Sequence, residues 1–465
     1  MNLTIYGAAR SVTGSQYLLR INGKTLLLEC GMFQGRREDT YRKNVHLAYP
    51  ADEVDAVILS HAHIDHSGNL PNLVKNGYRG KIFTTDATAH LADVMLKDCG
   101  HIQEADAEFV NKKRARRGEP PVEPIYTIQD AEHVASHFQP MRYGESFQPV
   151  PGVTVQLVDA GHILGSAAIV LDLQENGRST RLWFSGDIGR LNMPLMKDPV
   201  LPEGKVDTLL MECTYGDKPH ANPEEAFIEF REVVKKTLKR GGKLIIPAFA
   251  VGRTQELVFY LNQMVSDGDI PHIPVFVDSP LAVNATEVFE KFADQFDEET
   301  QAFIHEHRHP ALEFPGLHYV QSVEESKKIN DMHQPMVIIS ASGMAETGRI
   351  LHHLKNNIED PRSTILIVSW QAPDTLGRRL ADRERNVRIY GEEYYRRADV
   401  ETIGGLSAHA GQNLLVKYAA SVKDVAKQIV LVHGEPPQAN AFMAKLRETG
   451  SPRILYPEQE ETLEI

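Results

Sequence analysis

The sequence predicts an α/β protein in two textures: a stacked pair of mainly antiparallel sheets, then a segment of parallel sheet built from βαβ units. Three observations carry that prediction. Over roughly the first 190 residues, short apolar runs alternate with turn signals and helical stretches are few. From about residue 206, strand-like and helix-like runs alternate. Ligand-capable side chains also recur just past the ends of apolar strands.

NLTIYGA opens as a strand, and SQYLLRI-NG-KTLLLEC follows as a hairpin whose Asn22-Gly23 pair suits the positive φ of a tight turn. VDAVILS (54–60) is a buried strand, and a helix follows from Gly68 to about Asn76. EPPVEP (119–124) is a loop, and VTVQLVD (153–159), SAAIVLDL (166–173) and TRLWFSG (180–186) are three further strands. In the second texture, KLIIPAF precedes the helical GRTQELVFYLNQMV, and IPVFVDS precedes LAVNATEVFEKF. PMVIISA then leads through a Gly-rich turn into GRILHHLKNN, and STILIVSW follows. KQIVLVHG with PPQANAFMAKLRE repeats strand then helix at the end of the chain.

Composition narrows the class. At 465 residues, the chain has room for two or three domains, and 42% hydrophobic with 24% charged residues is ordinary for a globular protein. No run approaches the ~18 apolar residues of a membrane span, and the N-terminal MNLTIYGAARSVTGS lacks signal-peptide layout. Cys30, Cys99 and Cys213 are too widely spaced for a disulfide framework or a cysteine zinc ribbon. These features point to a cytoplasmic enzyme in a reducing compartment. The net charge of −13 argues against a generally basic nucleic-acid binder. Locally, KKRARRG (112–118) and GRRLADRER (377–385) are basic, each also readable as a solvated helix face or loop.

SHAHIDHSG (60–68) carries the chemistry. His61, His63, Asp65 and His66 occupy six positions at the end of a buried strand, where a loop can aim several side chains at one point. Imidazole and carboxylate suit zinc, and four ligands this close cannot all reach one tetrahedral ion without strain, so the spacing suggests two metals. Three more ligand-type residues share the context of strand end plus glycine: His162 in DAGHILGSA, Asp187 in SGDIGR and His433 in VHGEP. Other histidines do not. His305, His307 and His309 lie between helices in a charged stretch; His133 and His137 lack the glutamate of an HExxH site; His352 and His353 point apart on a helix.

This pattern resembles the metallo-β-lactamase superfamily. The 246-residue interval between Asp187 and His433 holds ECTYG (212–216), PAFAVGRTQEL (247–257), DSPLA (278–282), SASGMAETGR (340–349) and GLSAHA (405–410). That combination resembles the β-CASP group of RNA-processing nucleases, over essentially the whole chain. The resemblance implies an αββα sandwich, at 1–211 and 396–465, interrupted by an α/β β-CASP domain at 212–395, in the minimal two-domain form. It implies two zinc ions, one held by His61, His63 and His162, the other by Asp65, His66 and His433, with Asp187 bridging. Glu212 matches the group's acidic motif and His409 its second motif. His433, which the DNA-repair branch typically lacks, favours RNA over DNA. Glu29, in LLLECG, stands where the superfamily usually has aspartate.

The implied reaction is hydrolysis of phosphodiester bonds in single-stranded RNA, leaving a 5′-phosphate and a 3′-hydroxyl. Endonucleolytic action is favoured, with 5′-to-3′ exonuclease action as the second reading and a homodimer among the assembly options. Asp65 and Asp187 act with the metals, His409 is the candidate general acid, and Glu212 orients it. Ser340, Ser342, Gly343 and Arg349 in SASGMAETGR are candidates to grip a substrate phosphate; Arg253 and Arg378 are weaker ones. Two rivals remain: a small-molecule ester, thioester or lactone hydrolase, which has no use for the long insert, and a non-catalytic RNA-binding scaffold.

Overall fold

The computed structural model describes every residue except Arg36 and Ala221. The chain divides into two units, one comprising Met1–Leu191, Asp198–Pro219 and His409–Ile465, the other Asn192–Lys197 and His220–Ala408.

In the first unit, two seven-stranded sheets share one apolar core. One sheet runs Glu461–Glu464, Asn2–Ile5, Tyr17–Ile21, Lys24–Leu28, Ala56–Ile58, Lys81–Thr85, Phe138–Met141. The other runs Arg453–Leu455, Gln428–Val432, Thr208–Glu212, Arg178–Phe184, Ala167–Glu175, Val153–Asp159, Ser146–Val150. The expected hairpin forms with Ile21 opposite Lys24, and Asn22 and Gly23 adopt φ of 49° and 71°. Each strand sends alternate residues inward, so Leu3, Leu19, Leu26 and Ile58 meet Leu157, Ile169, Leu182 and Val430 between the sheets. A second apolar layer lies on the outer face of the second sheet. There Trp183, Leu209 and Met211 pack against Leu414, Leu415 and Tyr418 of the helix Gln412–Ala420, and Trp183 Nε1 donates to Tyr418 Oη at 2.7 Å. Burying each such leucine contributes about 1.5–3 kcal/mol, and this layer anchors the residues that follow His409.

The second unit holds a six-stranded parallel sheet ordered Leu317–Val320, Val275–Asp278, Met336–Ser340, Lys243–Pro247, Thr364–Ile367, Asp399–Thr402. Its central strands are buried along their whole length, as helix-covered parallel strands are.

Three features depart from the sequence reading. The 30-residue helix Asp86–Ala115 was not legible, because its buried stripe (Leu91, Ala92, Met95, Leu96) stops at Gly100 and the remaining turns are polar. His305 and His307 lie within the helix Glu298–His307 rather than between helices. The boundaries also move. Thr208–Glu212 pairs in parallel with Arg178–Phe184 and Gln428–Val432, which keeps Glu212 in the first unit. Asp399–Thr402 pairs with Thr364–Ile367, which keeps residues up to Ala408 in the second. Among the described residues, no helix is long and apolar enough to cross a membrane.

Candidate metal centre

Five strands of the first unit end at one edge, and the residues just beyond them converge. After Ala56–Ile58 the chain runs through His61 and His63 into the short helix Ile64–Ser67, which carries Asp65 and His66. Backbone bonds clamp this segment: Ser15 N–H donates to Asp65 O at 2.8 Å and Cys30 N–H to His66 O at 2.8 Å. Gly31 permits that approach, since a Cβ there would stand 1.7 Å from Asp65 O. His162 follows Val153–Asp159 and Asp187 follows Arg178–Phe184, their loops joined by a Gly189 N–H bond to Ala160 O at 2.8 Å. Glu212 and His433 end the neighbouring strands Thr208–Glu212 and Gln428–Val432.

The side chains form two donor sets sharing one carboxylate. In the first, His63 Nδ1 lies 3.2 Å from both His61 Nε2 and His162 Nε2, and Asp187 Oδ2 lies 3.5 Å and 3.6 Å from those two nitrogens. In the second, His66 Nε2 lies 3.3 Å from both His433 Nε2 and Asp187 Oδ1, and Asp65 Oδ2 lies 3.3 Å and 3.9 Å from His433 Nε2 and His66 Nε2. A tetrahedral zinc with ligands at about 2.1 Å separates its donors by about 3.4 Å. The chain's own atoms therefore meet the spacing a metal requires. Asp187 Oδ1 is buried and accepts no well-aligned hydrogen bond, its neighbours being His66 Nε2 at 3.3 Å and His433 Nδ1 at 3.5 Å, a deficit that a cation would satisfy.

Electrostatics sort the groups. Burial pushes His61 and His162 well below the usual imidazole range and His63 down to about 4, so these rings are neutral, the form that ligates a metal. Burial also opposes charge on His66, but Asp187, Asp65 and Glu29 outweigh it and hold that ring well above its ordinary value. Asp187 is likewise desolvated, yet His433, His66 and His409 keep it ionised.

Outer partners fix the rings. His66 Nδ1 donates to Glu29 Oε2 at 2.8 Å, and Glu29 also accepts from Ser60 N–H at 2.7 Å and Ser60 Oγ at 3.1 Å. Ser60 Oγ lies 2.9 Å from His61 Nδ1, and Thr214 Oγ1 lies 3.1 Å from His433 Nδ1. Such partners orient a ligand and raise its basicity. Glu29 and His433 adopt φ of 63° and 47°, sparsely populated for these residue types. Sequence reasoning missed Ser60 and Thr214, although the first adjoins His61 and the second lies within ECTYG.

His409 joins the centre from the first residue of the returning chain. Its Nδ1 lies 3.2 Å from Glu212 Oε2, while Glu212 Oε1 accepts from Ile188 N–H at 2.5 Å. Ala410 N–H donates to Ile188 O at 2.8 Å, which sets the segment beside Asp187. Burial lowers the His409 pKa, but Glu212 and then Asp187 outweigh it and raise it to about 9.

In the second unit the candidate phosphate residues are not one convergent set. Ser340 Oγ is buried and donates to Asp278 O at 2.7 Å, and Arg349 Nη1 donates to Asp278 Oδ1 at 2.7 Å. Asp278 also binds Ser326 and His353, each at 2.6 Å, a buried network at the foot of the loop. Ser342 Oγ accepts from Glu346 N–H at 3.2 Å and Thr347 N–H at 3.4 Å, which leaves its own proton free to donate. Gly343 packs against the Phe249 ring. Arg253 is buried in an ion pair with Glu256, and the exposed Arg378 pairs with Asp382 at 2.8 Å.

Comparison with known proteins adds independent findings. Residues 10–82 match the metallo-β-lactamase superfamily, 254–380 a Beta-Casp domain, and 393–457 a Zn-dependent metallo-hydrolase RNA specificity domain. Ribonuclease TTHA0252 of Thermus thermophilus is 39% identical, over 94% of this chain and 93% of the relative. Transcription termination factor FttA of Pyrococcus abyssi is 31% identical over 94% of this chain and 67% of its own length. A crystal structure of a protein of unknown function from Enterococcus faecalis shares the fold, with 12% identity, a TM-score of 0.56 and 99% coverage of both chains.

Proposed function

Because the chain belongs to the β-CASP family of the metallo-β-lactamase superfamily, we propose that it is a zinc-dependent ribonuclease. It hydrolyses phosphodiester bonds of single-stranded RNA, by internal cleavage, leaving a 5′-phosphate and a 3′-hydroxyl. The observation that supports this most directly is the orientation of Asp187: one carboxylate oxygen faces His61 and His162, the other His66.

His61, His63 and His162 would hold one zinc, Asp65, His66 and His433 the other, and Asp187 both. Bound there, two zinc ions would supply an activated water and a clamp on phosphate charge. The chain's residues do the rest. Glu212 holds His409 by Nδ1 and favours its protonated form, and His409 delivers a proton from Nε2 to the leaving 3′-oxygen. Asp65 and Asp187 keep the imidazole set in register and balance its charge. In the second unit, Ser342 is the member of the predicted set open to a substrate phosphate, while Gly343 is buried with its carbonyl accepting from Gln371 Nε2 at 3.0 Å, and Ser340, Arg349 and Asp278 brace the loop. Arg253 and Arg378, already paired, are secondary candidates for that role.

The test uses single-stranded RNA labelled at either end, with zinc-loaded wild type and Asp65→Ala. Internal fragments carrying 5′-phosphates, absent in the variant, are expected. A mononucleotide ladder from the 5′ end would replace internal cleavage with exonuclease action, and no metal-dependent cleavage would refute the ribonuclease reading.

A second expectation concerns Glu29. Glutamine at this position keeps the hydrogen-bonding shape but removes the charge that holds His66. Zinc affinity, read by competition with a chromogenic chelator, is expected to fall about 10–100-fold. Unchanged affinity would show that Glu29 serves only the loop backbone.

A further inference from the structure

The second unit contains an open cavity of about 370 Å³ whose lining includes Arg240, Arg385, Tyr395, Arg396, Arg397 and Asp399. It lies at the amino ends of Lys243–Pro247, Thr364–Ile367 and Asp399–Thr402, and so at the opposite edge of the sheet from the 340–349 loop. A strand of four residues is about 13 Å long, which separates the two edges. One lining residue, Arg385, ends the basic cluster 377–385 and has no part in the proposed reaction.

Four guanidinium groups line the cavity with one carboxylate, Asp399, while at its margin Glu359 Oε1 accepts from Tyr395 N–H at 3.3 Å and Glu401 pairs with Lys236 at 2.8 Å. Asp399 is already shared, with Lys236 Nζ at 3.2 Å and Arg240 Nη1 at 3.1 Å. Arg396 donates only to uncharged acceptors: Glu384 O at 3.0 Å, Ala398 O at 2.6 Å and Arg383 O at 3.0 Å. Arg385 Nη1 donates to Tyr395 Oη at 2.9 Å. Arg397 is exposed, and Arg240 Nε is buried without a hydrogen-bond partner. Burial and the neighbouring Arg385 and Arg383 push the Arg396 guanidinium below its ordinary value, with Asp399 opposing. Uncompensated positive charge concentrated in a chain of net charge −13 needs an anion. The planar fork of arginine matches phosphate. The half-exposed ring of Tyr395 offers a surface on which a base stacks, and the volume falls within the range of small-ligand sites, about 300–1,000 Å³.

We propose that this arginine-lined cavity is a second, non-catalytic site that binds the phosphate of a ribonucleotide, with Tyr395 against its base. The ligand has two sources, a nucleotide within an RNA chain or a free nucleotide; the choice of RNA rests on the ribonuclease reading, the anion site does not.

The experiment compares the full chain with Arg385→Ala/Arg397→Ala and with Arg397→Glu. These residues are exposed at the surface, so the fold is expected to survive, as near-ultraviolet circular dichroism would verify. Anisotropy of a labelled single-stranded RNA is measured against salt in an Asp65→Ala background to prevent cleavage, and adenosine 5′-monophosphate and adenosine are titrated calorimetrically. For an RNA source, the double variant is expected to bind RNA about tenfold more weakly. Loss of the one phosphate contact that the site makes reduces the logarithmic salt slope by about 0.7. For a free-nucleotide source, RNA binding is unchanged and binding of the monophosphate, but not of adenosine, is abolished. Unchanged RNA and monophosphate binding in both variants overturns the proposal. With Asp65 intact, hydrolysis of bis(p-nitrophenyl) phosphate is expected to be equal in wild type and variants. Its loss in the variants would place these arginines at the reacting site and overturn the proposal, whereas its absence in wild type would count against the ribonuclease reading alone.

Discussion

Asp187→Ala is expected to lower RNA cleavage by about a thousandfold or more and to reduce bound metal toward one ion per chain or none. The carboxylate lies 3.5 Å and 3.6 Å from His61 and His162 through one oxygen and 3.3 Å from His66 through the other. Among the described residues, no other side chain serves both donor sets in that way. A metal clamp on phosphate charge is worth several kcal/mol in the transition state, and about 4 kcal/mol corresponds to about a thousandfold in rate. Asp187→Asn separates charge from shape: the amide fills the same volume but is a poor bridging ligand, so its activity should stay near that of the alanine variant. Elemental analysis alongside single-turnover cleavage checks both. An Asp187→Ala protein that keeps two metals and most of its activity would remove this residue from the bridge.

His409→Ala is the second large effect, a loss of about 100- to 10,000-fold in kcat with metal content unchanged. The side chain is 22% exposed, and its Nδ1 is held by the fully buried Glu212 at 3.2 Å. Its raised pKa, at about 9, means that the imidazolium is the form present at neutral pH. Donation requires that form, so activity is full below the pKa and declines as pH rises through it. Bound cations neutralise the pull of Asp187 and move that alkaline limb downward. Glu212→Gln removes the larger opposing contribution, so its limb should lie at lower pH than in wild type, while His409→Ala should have no such limb. The measurement is kcat against pH for the three proteins. An identical alkaline limb in Glu212→Gln would detach His409 from proton delivery.

The candidate ligand types and their convergence past the strand ends were legible along the chain, because a metal site would draw on histidine and carboxylate. A loop that turns sharply off a strand must also carry glycine nearby, as around Asp187 and His433. The parallel texture of the second unit was equally legible, since strands buried on both faces read as unbroken apolar runs such as LII and MVII. Both signals are local in sequence.

What only the tertiary structure decided is long-range. The two Asp187 oxygens meet histidines from three separate segments, His61 with His66, His162 and His433, and Gly189 approaches Gly161 so closely that a Cβ would stand 1.8 Å from a carbonyl oxygen. The attachment of Glu212 to the first unit follows from strand pairing with Gln428–Val432, which no local pattern announces. Ser340 and Arg349 looked like free phosphate ligands because a hydroxyl or a guanidinium donates equally well to a phosphate or to a protein acceptor. Asp278, 62 and 71 residues away in the chain, is the acceptor they meet. Sequence thus determined which chemistry the chain can perform, through residue types that few other roles tolerate. Folding decided which of its polar groups remain available, because a hydrogen bond is satisfied by whatever partner the distant chain delivers.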